Sequence, residues 1–330
     1  MNLNQGQKFL AWAILLLCVA AVPVGLLSKS SNNSSAENSE KNSEKGFSVL
    51  GAKDRILVVR LNGAISNDEG QSSFFPEPGS SSAVRKQLHK AAENEHIKAV
   101  LLRINSPGGT VGMSQELNAA VKELRAKGKP VVVSMGDVAA SGGYYISCAA
   151  DKIFASPGTL TGSIGVIMHL YNLSDIEKKI GVAPVVIKSG QFKDIGSMDR
   201  PMTKEEQELL QILIMDSYDQ FVTAVSEGRK IDKEQVKKLA DGRIYSGRQA
   251  LKVKLVDALG GYEDALSDLK KTCKAKYNKD LTVDEGRSSM GFLSSLLESK
   301  LGGQQVDLFK DVLPESMKAQ YLRQPLWMME

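Results

Sequence analysis

Five short, nearly continuous apolar runs recur along the chain, and stretches with apolar residues at helical spacing lie between several of them. The runs cover residues 55–61, 98–104, 130–134, 152–155 and 184–188 and are rich in Val, Ile and Leu. A strand exposed on one face alternates apolar and polar side chains, whereas an unbroken run is covered on both faces. Between the second and third runs, Met113, Leu117, Val121 and Leu124 fall on one helical stripe, and Gly128-Lys-Pro130 ends that helix. Strand, helix, strand in this order makes a right-handed parallel crossover. The expected fold class is therefore α/β, a mostly parallel sheet with βα crossovers. From Thr203 onward the pattern becomes helical. Thr203-Lys-Glu-Glu206 has the spacing of a capping box that opens a helix to about Glu227, and further helical pieces lie near 232–240, 246–253 and 262–276.

The third run leads into Met135-Gly-Asp-Val-Ala-Ala-Ser-Gly-Gly-Tyr-Tyr-Ile-Ser147. This places Ser141 where a strand gives way to a small-residue helix. A serine at such a turn, followed by two glycines, exposes its hydroxyl. The N–H of Gly142 is left free to point at a substrate oxygen. The second run ends in Asn105-Ser-Pro-Gly-Gly109, a turn that also opens a helix. Gly109 and Gly142 are thus candidates for the two halves of an oxyanion hole at one edge of the sheet.

A serine nucleophile needs a base. The three histidines are His89, His96 and His169. His89 and His96 fall in a charged helical segment before the second strand, on the wrong side of the sheet. His169 follows Ser141 and would form a Ser-His-Asp arrangement with Asp175 or Asp194. Lys193, after the fifth run, is the better candidate, because its strand can end at the same edge as Ser141. A lysine titrates near ~10.4 in water, and desolvation can lower that enough to free the amine. The neighbouring Asp194 opposes this and must point elsewhere. Met135, Tyr144, Ile164, Val166 and Met168 are candidates for an apolar substrate groove, against the ordinary alternative that they belong to the core.

Composition excludes several classes. The net charge is +4, with 42 basic and 38 acidic residues scattered along the chain, which gives no nucleic-acid footprint. Cys18, Cys148 and Cys273 form no Cys-x-x-Cys pair and no zinc-spaced cluster with histidine, so neither a metal nor a cofactor is expected. Residues 9–27 contain nineteen residues without a charge, long enough to span a bilayer of about 30 Å as a helix. A cleaved signal peptide would have a shorter run and a clearer exit site. Residues 28–46 are dominated by Ser, Asn, Glu and Lys and read as a flexible tether. The expected organisation is a short tail at 1–8, a transmembrane anchor at 9–27, the tether at 28–46, a folded body at 47–277 and a C-terminal tail at 278–330. The short N-terminus favours a single-pass inner-membrane protein with its body on the outer, extracytoplasmic side. The tail from 307 to 330 carries separated apolar anchors that could occupy a neighbouring groove or help assembly.

Ser106-Pro-Gly-Gly109, Ala139-Ala-Ser-Gly-Gly-Tyr-Tyr145, Thr161-Gly-Ser-Ile-Gly-Val166, Lys193-Asp-Ile and Met202-Thr-Lys-Glu-Glu206 occur in order from about Ile56 to Leu269. Together they resemble the signal peptide peptidase A family of membrane-bound serine proteases, in its short single-domain form. The resemblance implies a Clp-protease/crotonase-like fold and a Ser-Lys dyad. Ser141 falls on the nucleophile, Lys193 on the general base and Ser163 on a serine that orients the lysine. Gly109 and Gly142 fall on the oxyanion turns. It also implies a ring-like homo-oligomer with a bowl-shaped cavity and hydrophobic remnants of signal peptides as substrates. With one copy of the motifs, the dyad comes from one protomer or from two adjacent ones. The alternatives are a peptidase using His169, a crotonase-like acyl-CoA enzyme, and a non-catalytic membrane scaffold.

Overall fold

The computed structural model describes residues 53–67 and 79–286. The expected anchor at 9–27, the tether, Cys18 and the tail beyond 286 lie outside the described residues. Among the described residues no helix is long and apolar enough to cross a membrane.

The chain forms one mixed sheet flanked by helices. Its strands are β1 (Arg55–Asn62), β2 (Ile97–Ser106), β3 (Val131–Ala140), β4 (Lys152–Ala155), β5 (Leu160–Gly162), β6 (Ile244–Ser246), β7 (Ala258–Leu259) and β8 (Thr282–Asp284). The main order is β6-β5-β3-β2-β1-β8, and every pairing is parallel except β5 with β6. The sheet forks at β3. Its first half pairs with β4 (Val132 with Lys152), which in turn pairs with β7, and its second half pairs with β5 (Val138 with Leu160).

Alternate residues of each central strand face opposite cores, which explains the unbroken apolar runs. Val100, Leu102 and Ile104 of β2 point to the larger core, with Val131, Val133 and Met135 of β3. Ala99 and Leu101 point the other way, onto Leu266, Leu269 and Cys273 of the last helix. The larger core is roofed by α1 (Ser81–Glu93) and α2 (Val111–Ala126), followed by the short α3 (Gly142–Ser147). On α2, Met113, Leu117, Val121 and Leu124 are all buried, as their spacing requires. Burying Leu117 completely is worth roughly 1.5–3 kcal/mol. Gly128, at φ +74, carries the chain out of α2 in the left-handed region, where a side chain would be strained.

After β5 the chain makes a long excursion. It contains α4 (Ser174–Ile180) and α5 (Lys204–Arg229) and returns through α6 (Lys233–Leu239) to β6. The excursion leaves and re-enters at one place: the Ser163 N–H donates to the Arg243 carbonyl at 2.9 Å, and the Gly242 N–H donates to the Ile164 carbonyl at 3.1 Å. α7 (Gly247–Lys252) and α8 (Tyr262–Tyr277) complete the fold. The expected capping box is present on α5: Thr203 Oγ1 accepts from the Glu206 N–H, and Glu206 accepts from the Thr203 N–H.

The fifth apolar run, at 184–188, is not a strand. Val185, Val186 and Ile187 stand in open chain, with Val185 87% and Ile187 96% exposed. The first half of α5 is similar: Leu209, Ile212, Leu213 and Met215 are exposed, while Phe221, Val222 and Val225 of its second half are buried.

Candidate active site

β3 delivers Ser141 to the edge of the sheet through an irregular passage. From Ile104 to Ser106 on β2, the paired residues on β3 advance from Met135 to Ala139, so β3 carries extra residues around Gly136. Asn105 Oδ1 accepts from the Val138 N–H at 3.1 Å, and a Cβ on Gly136 would stand 2.8 Å from that oxygen. The strand then meets a sharp elbow. Ser141 has φ +51 and ψ −119, a conformation that costs a non-glycine residue on the order of 1–3 kcal/mol and is found where function imposes it. Its N–H donates to the Gly162 carbonyl at 2.9 Å, its carbonyl accepts from the Tyr145 N–H at 2.8 Å, and its hydroxyl does not cap α3.

The Pro-Gly-Gly turn lies directly against this elbow. A Cβ on Gly108 would meet the Ser141 Cβ at 2.7 Å and the Gly142 nitrogen at 2.9 Å. A Cβ on Gly142 would stand 3.3 Å from the Gly109 nitrogen. The turn is held by Ile65, whose N–H donates to the Gly108 carbonyl at 2.9 Å and whose carbonyl accepts from the Thr110 N–H at 2.8 Å. These bonds leave the Gly109 N–H uncommitted. Gly142 opens α3, so its N–H has no helical acceptor either. Two backbone donors without an acceptor among the described residues thus lie at the Ser141 elbow.

Ser141, Gly109 and Gly142 open onto one cleft. Val111, Tyr145, Val166, Ile167 and Phe221 give it apolar walls, and Ser114, Gln115 and Ser217 add polar groups. Tyr145 is fixed by edge-on contact with Phe221, ring centroids 5.1 Å apart, and its carbonyl accepts from Asn118 Nδ2. Of the expected groove residues, Val166 lines this cleft. Met135, Tyr144 and Ile164 are fully buried core instead, and Met168 is exposed away from the cleft wall. Tyr144 donates its hydroxyl to the Leu255 carbonyl at 2.8 Å, which ties α3 to the core. Val111, Ile167 and Phe221, which sequence patterning did not single out, take the places assigned to the buried three.

Cys148, which caps the C-terminal end of α3, is fully buried. Burial pushes the Cys148 thiol up to about 12, and its sulfur contacts the Tyr145 and Ala224 carbonyls. His89 pairs with Glu123 and His96 with Asp54. His169 is exposed and is not part of the cleft wall. Neither acid proposed to orient it does so: Asp175 pairs with Lys178, and Asp194 with Lys188 and Arg200. Among the described residues no cluster of His, Cys, Asp and Glu could hold a metal.

Lys193 sits in a turned segment of the excursion, where its N–H donates to the Gly190 carbonyl at 3.1 Å. Its side chain is exposed and is not among the residues that wall the Ser141 cleft. Asp194 does point elsewhere: its carboxylate accepts from Lys188 Nζ at 2.7 Å and from Arg200 Nε and Nη2 at 3.0 and 2.9 Å. Ser163, at φ +48, ends β5 with its backbone bonded to Arg243.

The mixed α/β sheet, its crossovers and the glycine-flanked elbow fit the Clp-protease-like class. The profile of Peptidase family S49 matches residues 123–276, and that of Clp protease matches residues 77–161. An Enterococcus faecium protein provisionally named signal peptide peptidase SppA is 41% identical over 269 residues, 81% of this chain and 76% of that one. Protease 4 of Salmonella typhi is 37% identical over 265 residues, 80% of this chain and 41% of its own length. The chloroplastic serine protease SPPA of Arabidopsis thaliana is 35% identical over 241 residues, 72% of this chain and 35% of its own. The chain belongs to peptidase family S49 and is a serine protease.

Proposed function

We propose that this protease uses a Ser141–Lys193 dyad whose two members come from adjacent protomers, and that it cleaves apolar peptides of the kind left when signal peptides are removed. Among the described residues, the Ser141 cleft has the Gly109 and Gly142 backbone groups but no Lys, His, Asp or Glu in its wall. Lys193 is borne outward on an excursion whose apolar side chains Ile167, Tyr171, Val185 and Ile187, with Ile212 and Leu213 of α5, stand exposed among the described residues. Apolar surface of this extent marks a surface for association. A second copy covering it would bring an amine to the open cleft and remove water from both groups. That incomplete cleft is the observation that carries the reading.

The chemistry follows from the groups present. The neutral Lys193 amine accepts the Ser141 proton as Oγ attacks the peptide carbonyl. The Gly109 and Gly142 N–H groups stabilise the oxyanion. The resulting ammonium returns its proton to the departing amine, leaving an acyl-enzyme. Water, activated by the same amine, then releases the acid. Ser163 follows the β5 edge that bonds the elbow and would hold the lysine in the assembled site. The Val111, Val166, Ile167 and Phe221 walls suit an apolar side chain next to the scissile bond. Anchorage by residues 9–27, with the body on the extracytoplasmic face, would keep the site beside the bilayer where such peptides collect. The name of the Enterococcus relative supports this substrate class.

Subunit mixing tests the reading. Ser141→Ala and Lys193→Ala are each expected to be inactive. Unfolded together and reassembled, they should regain a substantial fraction of wild-type activity, because some interfaces then join an intact serine to an intact lysine. Mixed assemblies that form but stay inactive would reject the shared site.

A further inference from the structure

The turn that carries Lys193 is held by four charged side chains, none of them a member of the proposed dyad. Arg200 lies between two carboxylates. It grips Asp194 through Nε and Nη2 at 3.0 and 2.9 Å, and it grips Glu206 through Nη1 at 2.8 Å and through Nη2. Lys188 closes the other side of Asp194 at 2.7 Å and also donates to the Gln191 carbonyl at 2.9 Å. Glu206 is only 3% exposed and already serves the N-terminus of α5 through the Thr203 N–H. The four charges sum to zero. Their pairing leaves Lys193, directly before Asp194 in the chain, as a cation with no carboxylate partner among the described residues.

We propose that the quartet Lys188–Asp194–Arg200–Glu206 is a positioning device for the Lys193 amine. It pins the lysine's turn to the first turn of α5 and keeps the adjacent carboxylate occupied, so that the amine is presented unpaired to the serine. The inference rests on the dyad reading above. A bidentate guanidinium suits this task because its planar fork fixes the direction of both carboxylates, which a lysine's point charge does not. Both anions are occupied by their own cations: Arg200 and Lys188 keep Asp194 well below the usual carboxylate range, and Arg200 holds Glu206 down to about 2, so both stay ionised and paired at neutral pH. The other charged or titratable groups on elements packed at this turn are Asp199 on the same segment, Lys204 and Glu205 at the start of α5, and His169, Tyr171 and Asp175 on the stretch that meets Gly196 and Met198.

The test is the pH dependence of kcat/KM for the full-length protein, measured on an apolar peptide with a fluorogenic amide leaving group. Wild-type activity should rise with pH as the amine loses its proton. Asp194→Asn leaves an excess positive charge beside Lys193 and should move the rising limb to lower pH. Arg200→Gln leaves an excess negative charge and should move it to higher pH. Each displacement should be about half a pH unit or more, the order by which a nearby unbalanced charge shifts a titrating group. The double variant restores neutrality and should bring the limb back towards the wild-type position. Arg200→Lys keeps the charge but not the fork, so it should lower kcat with the limb in place. A general loss of fold moves none of these limbs in opposite directions. Should Arg200→Gln fail to fold, Asp194→Asn and Arg200→Lys still decide. Unmoved limbs, or shifts of one sign in both single variants, with Lys193→Ala inactive, would overturn the quartet's role alone. An active Lys193→Ala would overturn the dyad and the quartet together.

Discussion

A side chain on Gly108 would stand 2.7 Å from the Cβ of Ser141, closer than two carbons tolerate. The Pro-Gly-Gly turn and the Ser141 elbow are therefore packed against each other, too closely to leave room for a methyl group on Gly108. Gly108 also has φ +110, which side chains rarely adopt. Gly108→Ala is expected to cost about 1–3 kcal/mol in stability from backbone strain. It should lower kcat/KM by on the order of 100-fold through displacement of the site. Urea unfolding and steady-state kinetics on the same preparation separate the two effects.

Tyr144 lies next to the cleft residue Tyr145 but serves the core. Tyr144→Phe removes the donor to the Leu255 carbonyl and leaves that oxygen unsatisfied. A loss of about 1–3 kcal/mol is expected. Activity per folded molecule should be unchanged, whereas Tyr145→Ala should raise KM with little change in stability. Equal kinetic effects in the two variants would contradict the assignment of one tyrosine to the core and the other to the cleft.

Cys148 should resist maleimide in the native protein at pH 8 and react on unfolding. Burial raises its folded value to about 12 from about 9. The unfolded chain therefore gives up this proton first, and stability should fall as pH rises from about 9 to 12. Burial shifts the Tyr144 phenol in the same direction. Thermal unfolding of Cys148→Ala across that range should show a shallower decline than wild type.

On the acid side the sign reverses. Arg200 holds Glu206 down to about 2, from an ordinary value of 4.5. Its contribution is present above pH 4.5 and is lost as pH falls from there towards 2. Glu206→Gln should be less stable than wild type at neutral pH and should lose less on acidification over the same interval, as followed by circular dichroism.

Ile187 tests the exposed apolar surface. Ile187→Asp should shift the protein to smaller species in light scattering and abolish activity, with the protomer fold retained. An active, fully assembled variant would show that this residue lies outside the contact between copies.

The central strands were legible because both of their faces are covered. In β2, Val100 and Leu102 serve one core and Ala99 and Leu101 the other, so the run could not alternate. The elbow at Ser141 was legible for a local reason: the residue stands between the end of an apolar strand and two glycines that open a helix. The same logic misread Val185-Val-Ile187. An apolar run looks alike whether it meets its own sheet or stands 96% exposed at Ile187, because the pattern records burial without saying by what. Met135, Tyr144 and Ile164 were misplaced for a related reason. An apolar side chain near the serine in sequence points into the core or into the cleft according to the twist of β3 and the turn of α3, which periodicity does not encode. The capping box at Thr203 and Glu206 was visible as spacing. The second duty of Glu206, as an acceptor for Arg200, depends on a turn closed in three dimensions.

The paired backbone bonds between Ser163 and Arg243 and between Ile164 and Gly242 make the outgoing and returning chains neighbours at the root of the excursion. The part beyond that root as far as the first half of α5 is attached like a handle, while Phe221, Val222 and Val225 anchor the return in the core, so the handle's length and apolar decoration can drift over generations while the strands beneath keep their register. Descendants of such a protein can thus acquire new quaternary arrangements and new tastes in peptide without rebuilding the elbow beneath it.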